Sequence, residues 1–264
     1  YFWGLGDALG SRGASFALGY FSALYAVQFD LALKDKGIAD QPWVIVLAGQ
    51  MANTSTTKGL IEGFKAYFTD RAIDPAPFLK RAGVSTASYY SGTYEKNGLV
   101  QTTGDDATHK ALWLAAITAD PVGLQVRAAD RLTSMVTVNA EGQWNLGRLV
   151  AHRILHQKMA EDAGMFFLGD YEGGDHDSAP HYLAGDIGFI KWVKDFRYGP
   201  EGERVVRAWI NAMYAQNPNA IISNYRGIDI GPSASPSILP PPWSDGFWGD
   251  VNGRIRALND FLRP

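Results

Sequence analysis

Four short apolar runs, set apart by helical stretches, limit the folds open to this chain. They are Trp43–Ala48 (WVIVLA), Val84–Tyr90 (VSTASYY), Met165–Gly169 (MFFLG) and Ala220–Tyr225 (AIISNY). Each reads as a strand, and Trp43–Ala48, a short β-branched apolar run after Pro42, has the pattern of one buried on both faces. The stretches between them read as helices: Thr56–Phe68, Lys110–Ala119, Val122–Met135, Leu146–Ala163, Gly188–Phe196 and Glu201–Tyr214, with Gly253–Leu262 after the last strand. Apolar residues at i, i+3 and i+4, such as Leu60, Ile61, Phe64, Tyr67 and Phe68, support that reading. Strands alternating with helices predict an α/β fold with parallel pairing. Four strands do not close a barrel. The expectation is therefore one domain or half-domain over residues 1–264, either an open sheet or part of a barrel that other strands complete.

Composition removes several classes. There are no cysteines, so no disulfide scaffold, thiolate nucleophile or cysteine-held metal is available. Net charge is −3 with no basic block, which leaves no electrostatic footprint for nucleic acid. Ala14–Leu33 approaches the length of a membrane span. Gln28 and Asp30 interrupt it and Lys34-Asp35-Lys36-Gly37 closes it, so it is expected to be a buried helix stopped at Gly37, not a membrane span. The chain starts Tyr1-Phe2-Trp3, without Met or a basic leader, as a processed product or fragment would.

Polar and aromatic residues gather just after each strand, where parallel sheets and (β/α) barrels build their sites. The strongest block is Asp170-Tyr171-Glu172-Gly173-Gly174-Asp175-His176. A carboxylate there, followed by two glycines, is placed to serve as nucleophile or acid/base. The same Glu could instead pair with an Arg at the floor of a barrel. With Asp177 and His181 the block could hold a metal, but its spacing fits no stereotyped loop, and no metal or other cofactor is expected. Gln50, Asn53, Tyr89, Tyr90, Tyr94 and Trp248 also lie near strand ends, and amides and flat aromatic rings suit sugar hydroxyls and sugar faces. His152 and His156 are one helical turn apart, but Arg153 stands where a zincin motif needs Glu, so a packed helix face is expected.

Together these blocks resemble the second half, strands 5–8, of the (β/α)8 barrels of the large retaining glycoside hydrolase superfamily called clan A. The blocks are VIVLAGQMANTSTTKGLIEGF, VSTASYYSGTY, AEDAGMFFLGDYEGGDH and GFWGDVNGRIRALNDFL. The resemblance implies that Glu172 is the catalytic nucleophile, that Gln50, Asn53, Tyr89, Tyr90, Tyr171 and His176 line a sugar site, and that Trp248 floors it. It implies a carbohydrate substrate and a secreted or cell-surface setting. One departure matters. The family's acid/base Glu follows an Asn at the end of strand 4, and no Asn-Glu dipeptide occurs here. The acid/base is then expected from the N-terminal half of the same barrel or from a partner chain. The alternative is a non-catalytic carbohydrate-binding or structural protein, such as an envelope or virion component, on a degenerate barrel. Gly6-Asp7-Ala8-Leu9 and Gly49–Asn53 also echo esterases of the Gly-Asp-Ser-Leu type, but Ala8 and Met51 stand where a Ser nucleophile is wanted.

Overall fold

The computed structural model describes residues 3–91, 105–137, 144–175, 180–183 and 185–222. The fold is α/β. Strands β1 (Ile45–Gln50), β2 (Ala82–Tyr90) and β3 (Phe166–Asp175) form a parallel sheet in the order β1-β2-β3. Ile45 of β1 stands opposite Ala82 and Gln50 opposite Ala87. On the far side of β3, Ile221 bridges Gly169 in parallel, which is where the fourth expected strand begins. Residues 223–225 of that expected strand lie outside the described ones. Neighbours in the sheet thus follow chain order.

Packing gathers the chain into two compact units, residues 1–88, 151–172 and 219–223 in one, and 89–150, 173–218 and 224–264 in the other. The first unit holds the long helix α1 (Trp3–Asp35), α2 (Thr54–Arg71), the short α3 (Ala76–Leu79) and most of the sheet. Its core joins Ala23, Ala26 and Val27 of α1 to Leu60, Phe64 and Phe68 of α2 and to Leu47, Val84 and Phe167 of the sheet. The helices touch backbone to backbone. A Cβ added at Gly63 would lie 1.9 Å from the Phe16 carbonyl oxygen, and one at Gly19 would lie 2.0 Å from that of Leu60. Only glycine allows that approach.

At the end of α1 the Ile38 N–H donates to the Leu33 carbonyl and the Gly37 N–H to that of Lys34, closing the helix where the sequence predicts. Burial of α1 is one-sided. Ser15, Gly19, Ala23, Ala26 and Val27 are buried, whereas Leu18, Phe21, Tyr25 and Phe29 are exposed. By length and composition Gly13–Asp35 is long and apolar enough to cross a membrane.

Two expectations need correction. β1 is not buried on both faces: Leu47 is in the core, but Val46 is 40% exposed and Ala48 is exposed. Among the described residues β1 pairs with β2 alone. Nor does β3 stop at Gly169. It runs on through the block after it to Asp175, and the Asp170 N–H donates to the Ile221 carbonyl at 2.8 Å.

The second unit is helical. α4 (Asp106–Ala119), α5 (Pro121–Thr133), α7 (Ile187–Tyr198) and α8 (Pro200–Gln216) bury an aromatic core. In it Trp113 and Trp192 rings lie 5.6 Å apart, and Trp192 Nε1 donates to the Pro121 carbonyl. Asp120 ends α4 and caps α5, its carboxylate accepting from the Gly123 N–H. α6 (Leu146–Asp162) starts in this unit and runs into the first.

Candidate functional site at the strand ends of the first unit

Gln50 is the last residue of β1 and Tyr171 lies past the middle of β3. Between them stands β2, whose residue opposite Gln50 is Ala87. Its methyl group leaves room for the flanking side chains to meet, and Gln50 Nε2 donates to the Tyr171 hydroxyl at 3.5 Å. The pair lies on the sheet face that carries Val46 and Ala48, because strand side chains alternate.

Asn53 caps α2. Its Oδ1 accepts from the Thr56 N–H at 3.3 Å and from the Ser55 hydroxyl at 2.6 Å. That oxygen is committed to the helix start, which leaves Nδ2 for a ligand. The Asn53 N–H donates to the Gln50 carbonyl, so Gln50–Asn53 form one tight turn.

Behind the sheet lies a buried polar layer. Arg153 of α6 and Asp170 of β3 form an ion pair at 3.2 Å, both side chains 0% exposed. The Thr86 hydroxyl donates to Asp170 Oδ1 at 3.0 Å, whereas Ser85, on the opposite face of β2, donates its hydroxyl to the Gly169 carbonyl. Burial pushes the Asp170 carboxyl up, while Arg153 and the hydroxyls of Ser88 and Thr86 draw it back. Burial likewise lowers Arg153, with Asp170 opposing. Asp170 reaches this side because Gly169 takes φ +110°, a left-handed conformation that shifts the strand's alternation by one residue. Phe167 and Asp170 therefore both face the helices, and Tyr171 faces away.

His156 belongs to the same layer. Its Nε2 lies 3.0 Å from the Met51 carbonyl, and its Nδ1 lies 2.8 Å from the Thr57 hydroxyl. A carbonyl only accepts, so Nε2 carries the proton and Nδ1 accepts from Thr57. Burial lowers the pKa of His156; the Met51 carbonyl partly opposes this and His152 adds to it. The packed helix face expected for this histidine is what the structure holds.

Glu172 follows Tyr171 on β3 and is half-buried. By strand alternation it leaves the backbone on the side opposite Tyr171. Tyr89 and Tyr90 end β2 and fall in the second unit, Tyr89 half-buried and Tyr90 3% exposed. His176 and Trp248 lie outside the described residues, with Tyr94, Asp177 and the GFWG block. His181 lies within them and pairs with Asp106. Among the described residues no three His, Asp or Glu side chains stand close enough to hold a metal.

The structure thus brings Gln50, Asn53 and Tyr171 to one end of the sheet, with Glu172 next along β3. Arg153, His156, Ser85 and Thr86 were not singled out as site residues from the sequence. The signal for the hydroxyls is the run of small polar residues in Val84–Ser88, inside a strand that is otherwise apolar. Comparison with family models, with curated proteins and with solved structures gives no match.

Proposed function

We propose that this chain is the strand-5-to-strand-8 half of a retaining glycoside hydrolase-like (β/α)8 barrel, with Glu172 as nucleophile. The observation that carries the reading is sheet order. β1, β2, β3 and Ile221 are neighbours in chain order, as in a singly wound barrel, whereas a doubly wound sheet reverses direction at a switch point. This order gathers the Gln50 turn, Tyr171 and Glu172 at the carboxyl end of the sheet.

In the proposed reaction a Glu172 oxygen bonds to the anomeric carbon as the bond to the leaving oxygen breaks. That oxygen takes a proton from a carboxylic acid about 5–5.5 Å from Glu172, and water then releases the sugar. The acid comes from the N-terminal half of the barrel or a partner chain. The edge of β1 that no described strand pairs, and its exposed Val46, suit such a completion.

One observation favours a second reading, a non-catalytic carbohydrate-binding or structural protein. Glu172 leaves β3 on the side opposite Tyr171 and Gln50, away from the face those two share. A fluorinated mechanism-based glycoside label separates the two. The first reading expects the label on Glu172 by mass spectrometry once the barrel is complete, and Glu172→Gln to abolish turnover with sugar affinity kept. Sugar affinity with no label on Glu172 and no turnover supports the second.

A further inference from the structure

α6 sends two buried polar side chains, about one helical turn apart, to the middle of β3 and to the turn after β1. Arg153 reaches Asp170 of β3 and, at 3.5 Å, the Ile221 carbonyl. His156 reaches the turn after β1. The histidine contact has a direction that the arginine contact lacks. It requires one tautomer, with the proton on Nε2 for Met51 and a lone pair on Nδ1 for the Thr57 hydroxyl. Met51 is the residue between Gln50 and Ala52, and Thr57 lies in the first turn of the helix that Asn53 caps. Both ends of the Gln50–Asn53 turn are therefore tied to one imidazole.

We propose that His156 is a positioning residue: its neutral Nε2–H tautomer fixes the turn that presents Gln50 and Asn53 at the sheet end. That this turn meets a ligand rests on the carbohydrate reading above; that His156 holds it does not. A second proton would sit on Nδ1 facing Thr57, whose hydroxyl must then turn round to accept. The charged groups nearby do not help it. His152 and Arg153 on α6 oppose a further positive charge, and Asp170 is already paired with Arg153.

The test uses the full chain, labelled with ¹⁵N and without ligand. Long-range proton–nitrogen spectra are expected to show His156 as neutral, protonated at Nε2, on both sides of the ordinary imidazole value of about pH 6.5. His156→Leu removes both contacts and is expected to shift the amide signals of Met51, Ala52 and Asn53 and to broaden the side-chain amides of Gln50 and Asn53. His156→Gln retains a donor toward Met51 and is expected to restore them. Thr57→Val removes only the donor to Nδ1, so it gives the same reading if His156→Leu fails to fold; its expected signature is a mixed tautomer and displaced Ala52 and Asn53 signals. An Nδ1–H tautomer, ordinary titration near pH 6.5, or unmoved turn signals in a folded variant would overturn the proposal. None of these outcomes depends on hydrolysis, so failure of the glycosidase reading is seen separately, in the label experiment.

Discussion

Arg153 and Asp170 occupy the least forgiving place a charged pair can take, with both side chains out of water. Desolvation of two ions consumes most of their attraction, so the pair as a whole adds little stability. Removing one partner is another matter, because the survivor is left buried and charged. Arg153→Met or Asp170→Leu alone is expected to cost about 3–5 kcal/mol, while the double variant costs less than the worse single. Urea unfolding of the three variants measures this, and costs that simply add would show that the two residues do not depend on each other. The contact fixes how β3 sits on α6, upstream of Tyr171 and Glu172. The sequence offers no hint of it. In the sequence Asp170 belongs to the site block, and Arg153 stands only where a zinc motif needs Glu. Their roles depend on a sheet and a helix meeting, and no local pattern encodes that. His156 shows the same gap, since its partners Thr57 and Met51 are 99 and 105 residues away in the chain. Gln50 and Tyr171 stand out in the sequence because an amide or an aromatic just past a short apolar run is a local signal.

Among elements, helix ends were the most legible features. Asp120-Pro121 and Gly37 act through bonds to residues within a turn or so, and their chemistry can be read in a short window. The extent of β3 was not legible. Its glycine-rich, acidic block has the composition of a loop, yet it is strand to Asp175 in a sheet whose neighbouring strand β2 lies far away in the chain. The α1–α2 contact is the element-level feature most open to a direct test. Gly63→Ala should raise helix propensity by about 1 kcal/mol. The new methyl would meet the Phe16 carbonyl at 1.9 Å, a backbone atom that cannot turn aside. Forcing two packed helices apart costs typically about 1–3 kcal/mol. We therefore expect a lower melting temperature for Gly63→Ala. A higher one would mean that the helices do not pack this closely.

For the whole molecule, the exposed residues matter more than the buried ones. Leu18, Phe21, Tyr25 and Phe29 form one apolar stripe along α1, and among the described residues β1 is paired on one side only, with Val46 exposed beside it. Large apolar patches and open edges invite association. The isolated 264-residue chain is expected to self-associate or to co-purify with the segment that completes its sheet. Sedimentation velocity checks this, and a cooperatively melting monomer of 28.8 kDa would count against the half-barrel reading and the role it gives Glu172.

The two units are also interleaved along the chain: each is assembled from three separate segments, and the middle segments alternate. On a ribosome this sets an order of events. β1 and β2 emerge before β3, and their sheet waits for it until Phe166 has been made, while residues 89–150 go to the other unit. At roughly 5–20 residues per second the wait lasts several seconds. During that time a nascent chain carries a two-stranded apolar sheet and the bare stripe of α1, a natural client for a ribosome-associated chaperone.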